Sequence, residues 1–94
     1  MNITNVINEF NETHELQSKY HVNAMWFKKY DSKLKRLFSE LKDLTSVELL
    51  ERDSSDKTDS FAESYEYIIN NTHKLVITTS RNRKTTFYDK IKSA

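Results

Sequence analysis

SFAESYEYIINNTHKLVITTS, residues 60–80, is the stretch on which the fold turns, because its first half fits two periods at once. Phe61, Tyr65, Ile68 and Ile69 fall at helical spacing, and Ser60 with Glu63 makes a capping box. Phe61, Tyr65, Tyr67 and Ile69 also alternate with Ala62, Ser64 and Glu66, the two-residue period of a half-buried strand. The downstream residues favour strand. KLVITTS is a β-branched run, RNRK reads as a turn, and TTFYDKIK alternates again, so residues 74–92 form a hairpin closed near Asn82. Upstream, VELLERD gives a short strand with Val47 and Leu49 on one side and Leu50 on the other, followed by an apolar-free loop, DSSDKTDS, over residues 53–60.

Before residue 46 the period is helical. Ile3, Val6, Ile7 and Phe10 predict a first helix over residues 3–17, with Asn2 as N-cap. Val22, Trp26, Tyr30, Leu34, Leu37, Phe38, Leu41 and Leu44 share one arc of a second helix, with Lys28, Ser32, Lys35, Arg36 and Ser39 opposite. Asn23 is the expected N-cap, Val22 and Phe27 the hydrophobic staple, and residues 24–44 a rod of about 30 Å at 1.5 Å per residue. The expected fold is α+β: two N-terminal helices, the second long, followed by an antiparallel meander of three to four strands in a single domain, 1–94.

Ninety-four residues suffice for one modest core. The chain has no cysteine, which excludes disulfides, thiolate metal sites and cysteine nucleophiles and fits a reducing compartment. It also has no glycine and no proline, where average usage gives about ten, so glycine-rich phosphate loops and nucleophile elbows are excluded. Positive-φ turns then fall to Asn, with Asn70, Asn71 and Asn82 as candidates. With no leader pattern and no apolar run of about 18 residues, a soluble, cytoplasmic protein without membrane contact is expected.

Net charge is +1, yet the charges lie in blocks. Residues 1–18 hold three acids and no Lys or Arg, 19–39 six bases and one acid, 40–66 nine acids and three bases, and 67–94 six bases and one acid. Lys28, Lys29, Lys35 and Arg36 form a cationic stripe on the second helix beside Met25, and Arg81, Arg83 and Lys84 with Tyr88 form a second basic site. Asp53, Asp56, Asp59, Glu63 and Glu66 are the acidic candidates, able to mimic nucleic-acid phosphates if they align. Trp26, Phe27 and Tyr30 crowd the start of the second helix over a wider arc than one small core covers; core packing is the default reading, and an interface anchor formed by the exposed part of the cluster is the alternative. No catalytic residues are assigned. His14 and His21 lack the HExxH spacing, Ser18 standing at the second ligand position, so neither a metal nor a cofactor is expected.

From Lys28 onward, the Lys-rich helix followed by YEYIINNTHKLVITTS resembles the RelE/ParE family of small toxin ribonucleases. The resemblance implies a curved antiparallel sheet and RNA-facing Arg81, Arg83, Lys84 and Tyr88. The family's N-terminal strand is replaced here by a helical pattern, and its glycine between strands is absent. The residues read on their own favour a small non-enzymatic binding protein that docks charged surfaces and an aromatic patch onto a protein or protein–nucleic acid complex. Compact cofactor-free chains of this kind are often phage or mobile-element inhibitors of host nucleic-acid enzymes, anti-CRISPR proteins included. An RNA-binding toxin and a self-associating homodimer are the alternatives.

Overall fold

Asn2 opens the first helix of the computed structural model, which describes residues 2–55, 62–80 and 85–94. Its side-chain Oδ1 accepts the Asn5 N–H at 2.8 Å, satisfying one of the orphan donors of α1, Ile3–Gln17. Val6, Ile7, Phe10, Thr13 and Gln17 form the buried face. The two polar members are accommodated, Thr13 Oγ1 donating to the Glu9 carbonyl at 2.8 Å and Gln17 Nε2 to the Phe27 carbonyl at 3.2 Å. The second bond ties the end of α1 to the first turn of α2, Met25–Leu44.

The start of α2 corrects the sequence reading. Asn23 does not cap it: its N–H donates to His21 Nδ1 at 3.2 Å, and Ala24, extended at φ −70 and ψ 145, holds the N-cap position without a side-chain bond. A turn closed by the Ala24 N–H on the His21 carbonyl, 2.8 Å, takes in Val22, one of the two residues assigned to the staple, while Phe27 is buried on α2. The buried arc is also rotated from the one expected. Phe27, Leu34, Leu37, Phe38 and Leu41 are buried, whereas Trp26 and Leu44 are 46% and 43% exposed. On a wheel of about 100° per residue, Phe27 falls between Leu34 and Phe38, while Trp26 and Leu44 coincide on the fringe. Thr45, extended at φ −154, ends α2 without a glycine.

Beyond Ser46 the described residues form an antiparallel sheet. Its strands are β1, Val47–Ser55, β2, Ala62–Ile69, β3, His73–Ser80, β4, Thr85–Tyr88, and the two-residue β5, Lys92–Ser93. The order is β1-β2-β3-β4, with β5 pairing β3 beyond the end of β4. Residues 62–69 are therefore strand, as favoured. Between β2 and β3, Asn70 and Asn71 have φ of 53° and 59°, the positive pair of a type I′ turn, and the Thr72 N–H closes it on the Ile69 carbonyl at 3.0 Å. Asp53, Ser54 and Ser55, expected in a loop, belong to β1, while residues 56–60 of that loop and the RNRK turn with Asn82 lie outside the described residues.

The register separates two faces. Leu49 opposes Tyr67 and Glu51 opposes Glu66, leaving Leu50 as the extra residue of a β-bulge. Val47, Leu49, Arg52, Tyr65, Tyr67 and Ile69 consequently share one face with Leu75, Ile77 and Tyr88. Glu48, Glu51, Asp53, Ser64 and Glu66 share the other with Val76. Ile69, Leu75, Ile77, Tyr88 and Ile91 are buried, and burying an aliphatic side chain of this size contributes about 1.5–3 kcal/mol. β1 is an edge strand. Its bulge and its charged residues Glu48, Glu51, Arg52 and Asp53 discourage further strand pairing.

Two helices followed by an antiparallel sheet make the arrangement α+β. By its internal contacts the chain divides into two compact units, Met1–Ser46 and Val47–Ala94. Among the described residues, no helix is long and apolar enough to cross a membrane.

Candidate functional site

Three aromatic rings meet where α1 gives way to α2. The Tyr20 and Tyr30 ring centroids are 6.1 Å apart and those of Trp26 and Tyr30 5.9 Å, both pairs tilted rather than stacked. Such pairs contribute about 0.5–1.5 kcal/mol each beyond their burial. The Lys29 ammonium lies over the Trp26 ring at 4.8 Å, a cation–π contact. Tyr20, Trp26 and Met25 are exposed, Met25 to 62%, and Leu16 on the last turn of α1 is exposed as well. Tyr20, Trp26 and Tyr30, linked in this way, form a patch rather than scattered surface residues, and the exposed Met25 adjoins Trp26 in sequence.

Of the predicted aromatic residues, Trp26 and Tyr30 therefore belong to this patch and Phe27 does not, being buried with only 8% of its surface exposed. Tyr20 and Leu16 were not anticipated. Tyr20 lies in the connection between the helices, where no periodicity identifies its neighbours. The signal for Leu16 was available: on a wheel of α1 it falls away from Val6, Phe10 and Thr13.

The cationic stripe is present but partly neutralised. Lys28, Lys29, Lys35 and Arg36 are all exposed, yet Lys35 Nζ is 3.6 Å from Asp31 Oδ2 and Arg36 Nε 4.0 Å from Glu40 Oε1, both at i,i+4 spacing. Lys33 bridges to Glu9 of α1 at 3.3 Å. Among the described residues, Lys28 and Lys29 have no carboxylate partner, and neither do Glu12 and Glu15 on α1. Burial pushes the Asp31 carboxyl above the usual carboxylate range, against the opposing pull of the Lys35 ammonium, and its Oδ1 is buried without a hydrogen-bond partner.

The acidic candidates separate. Asp53 and Glu66 share the charged face of the sheet with Glu48 and Glu51, and Glu51, Asp53 and Glu66 line a shallow depression of about 210 Å³ with Ser64 and Val76. Glu66 is paired to Lys74 at 3.4 Å. Glu63 lies on the opposite face, where Arg52 Nη2 donates to it at 3.3 Å and the Tyr65 hydroxyl at 2.5 Å. That hydroxyl bond to a carboxylate holds the Tyr65 pKa above its usual value. Asp56 and Asp59 lie outside the described residues, as do Arg81, Arg83 and Lys84. Tyr88, their proposed companion, is buried, opposite Ile77.

His14 lies within α1, while His21 and His73 serve local turns, His21 Nδ1 accepting from the Asn23 N–H and His73 Nδ1 sharing a proton with Thr72 Oγ1 at 2.8 Å. No group of three His, Cys, Asp or Glu among the described residues is placed to hold a metal ion. Compared with protein-family models, curated proteins and solved structures, the chain matches none.

Proposed function

We propose that this chain is a non-enzymatic binding protein that acts by contact with a macromolecular partner. One observation carries the reading: Tyr20, Trp26 and Tyr30 are linked ring to ring, with Met25 beside them in sequence and open to solvent. Trp and Tyr dominate the energetics of protein interfaces, because a large rigid ring buries much area for little lost conformational freedom. The finer assignment is an inhibitor of a nucleic-acid enzyme, of the kind carried by phages and other mobile elements, anti-CRISPR proteins among them. What supports it is the alignment of Glu48, Glu51, Asp53 and Glu66 on one sheet face, offering a basic groove carboxylates in place of phosphates.

The test is capture of partners by the tagged chain in its native host, comparing wild type with Trp26→Ala and with Glu51→Lys. The contact reading expects a specific partner whose recovery falls at least tenfold for one of these variants while the circular dichroism spectrum is unchanged. Equal recovery by all three proteins would count against it, as would turnover of a substrate by the purified chain alone.

A further inference from the structure

Resting on that contact reading, we infer that the partner held at the aromatic patch is a single-stranded nucleic acid, its bases laid on the run of rings and its backbone on Lys29. The ring geometry comes first. Centroid separations of 6.1 Å and 5.9 Å make Tyr20, Tyr30 and Trp26 a run with a nearly even step. Nucleotides stacked within a duplex strand repeat at about 3.4 Å, so the step is close to twice that and fits bases that have separated from one another. Successive rings are tilted by 38° and 31°, which suits splayed bases rather than a stacked column. Tyr20 and Trp26, at the two ends, are 40% and 46% exposed, and Tyr30 between them is half-buried. The end rings are therefore the stacking platforms, and because every base has a π-face they accept any sequence.

The charge beside the rings is placed by a distance. Lys29 Nζ lies 4.8 Å from the centroid of the Trp26 ring, on a flexible stem that lets the ammonium pass from ring to phosphate when a base takes its place. At about 100° per residue, Lys33 falls on the same flank of α2 as Trp26 and Lys29. Its partner is Glu9 at 3.3 Å, an exposed pair that a phosphate can compete with. Lys28, Asp31 and Lys35 fall on the other flank of α2 and take no part. One or two phosphate contacts result, so at about −0.7 per contact the slope of log K against log salt is about −0.7 to −1.4. A duplex fits less well, because its base faces are already stacked on one another. An acidic protein segment shares the attraction to Lys29 but carries no planar groups recurring at this step.

The experiment is fluorescence anisotropy of a labelled oligothymidylate of about 12 nucleotides, titrated with the full chain up to about 500 µM at about 50 mM salt. A dissociation constant of about 100 µM or below is expected, with a duplex of the same length bound at least about tenfold more weakly. Tyr20→Ala and Trp26→Ala are each expected to weaken binding at least about fivefold, whereas Trp26→Phe, which keeps a stacking face, stays within about threefold of wild type. Lys29→Ala is expected to flatten the salt slope by about 0.7, and Lys28→Ala to leave it unchanged. In the wild-type chain, unlabelled oligothymidylate is expected to quench Trp26 emission, a readout that needs no substitution. Absence of binding by wild type overturns the inference, as does a duplex bound as tightly as the single strand, or an indole left unquenched in the complex. If wild type ignores the oligonucleotide but Trp26→Ala abolishes capture of a protein from the host, only the nucleic-acid assignment falls. If Trp26→Ala changes neither oligonucleotide binding nor capture, the contact reading of the aromatic patch falls with it.

Discussion

Two adjacent aromatic residues at the start of α2 provide the sharpest test of how the helical unit is packed. Phe27 is buried on the same face of α2 as Leu34 and Phe38, and its carbonyl accepts a hydrogen bond from Gln17 Nε2 at 3.2 Å. Phe27→Ala leaves that backbone bond in place but empties a core position, which costs about 3–5 kcal/mol. For a domain whose total stability is about 5–15 kcal/mol, this is a large fraction. Trp26 is 46% exposed, so about half of the ~250 Å² an indole can bury is withdrawn from water. At ~25 cal/mol/Å² this is at most about 3 kcal/mol, and some 2 kcal/mol after allowing for a compact unfolded chain. Urea denaturation followed by far-ultraviolet circular dichroism measures both, since Trp26→Ala removes the fluorophore. Phe27→Ala is expected to lower stability at least 1 kcal/mol more than Trp26→Ala, roughly the difference between a full and a half burial. A Trp26→Ala cost equal to or above that of Phe27→Ala would refute the rotated arc and return Trp26 to the core.

Three further outcomes follow from particular residues. At the β2–β3 turn, Asn71→Gly relieves a positive φ of 59° and is expected to stabilise by up to about 1 kcal/mol, whereas Asn71→Val costs about 1–2 kcal/mol; thermal unfolding measures the pair. Glu51 and Glu66 oppose each other directly, so Glu51→Thr is expected to stabilise by about 0.2–1 kcal/mol, an effect that shrinks in high salt as Glu66 is screened anyway. Asp31 has its pKa raised by burial, so the folded state holds this proton more tightly than the unfolded one. Its contribution is therefore most favourable below the ordinary carboxylate pKa and is lost as pH rises through the raised value. Asp31→Asn should accordingly be more stable than wild type at neutral pH, the gain disappearing toward pH 3 in denaturation series run across that range. A gain that grows on acidification would contradict the desolvation assigned to Asp31.

Much of the fold was legible because local chemistry and tertiary packing agree. Asn2 was readable as a cap from its place before the Ile3 periodicity, and it accepts the Asn5 N–H. Asn70-Asn71 was readable because a glycine-free chain has few other residues that tolerate positive φ. The strand over residues 62–69 was legible only through its neighbours, since Phe61, Tyr65 and Ile69 fit either period. The failures arose where packing overrides a local preference. Asn23 has the chemistry of an N-cap, but the His21–Ala24 turn claims its backbone first. Trp26 and Phe27 are both apolar and adjacent, and only the direction from which α1 packs decides which one faces it. The acidic surface depended on one residue. Without the bulge at Leu50, Glu48 and Glu51 would lie on opposite faces of β1; with it, Glu48, Glu51 and Asp53 align. The aromatic patch needed Tyr20, whose contact with Tyr30 spans the turn between two helices and leaves no trace in the spacing of either.

Trp26 is the single tryptophan of the chain, so its fluorescence reports on the proposed contact surface and on nothing else. Its emission wavelength and its quenching by acrylamide, measured on the isolated chain and again with the captured partner in excess, address the central claim directly. A solvent-exposed, readily quenched indole in the isolated chain, turning blue-shifted and protected when the partner binds, is the result predicted. An indole already blue-shifted and protected in the isolated chain, or one whose exposure is unchanged by the partner, would contradict it.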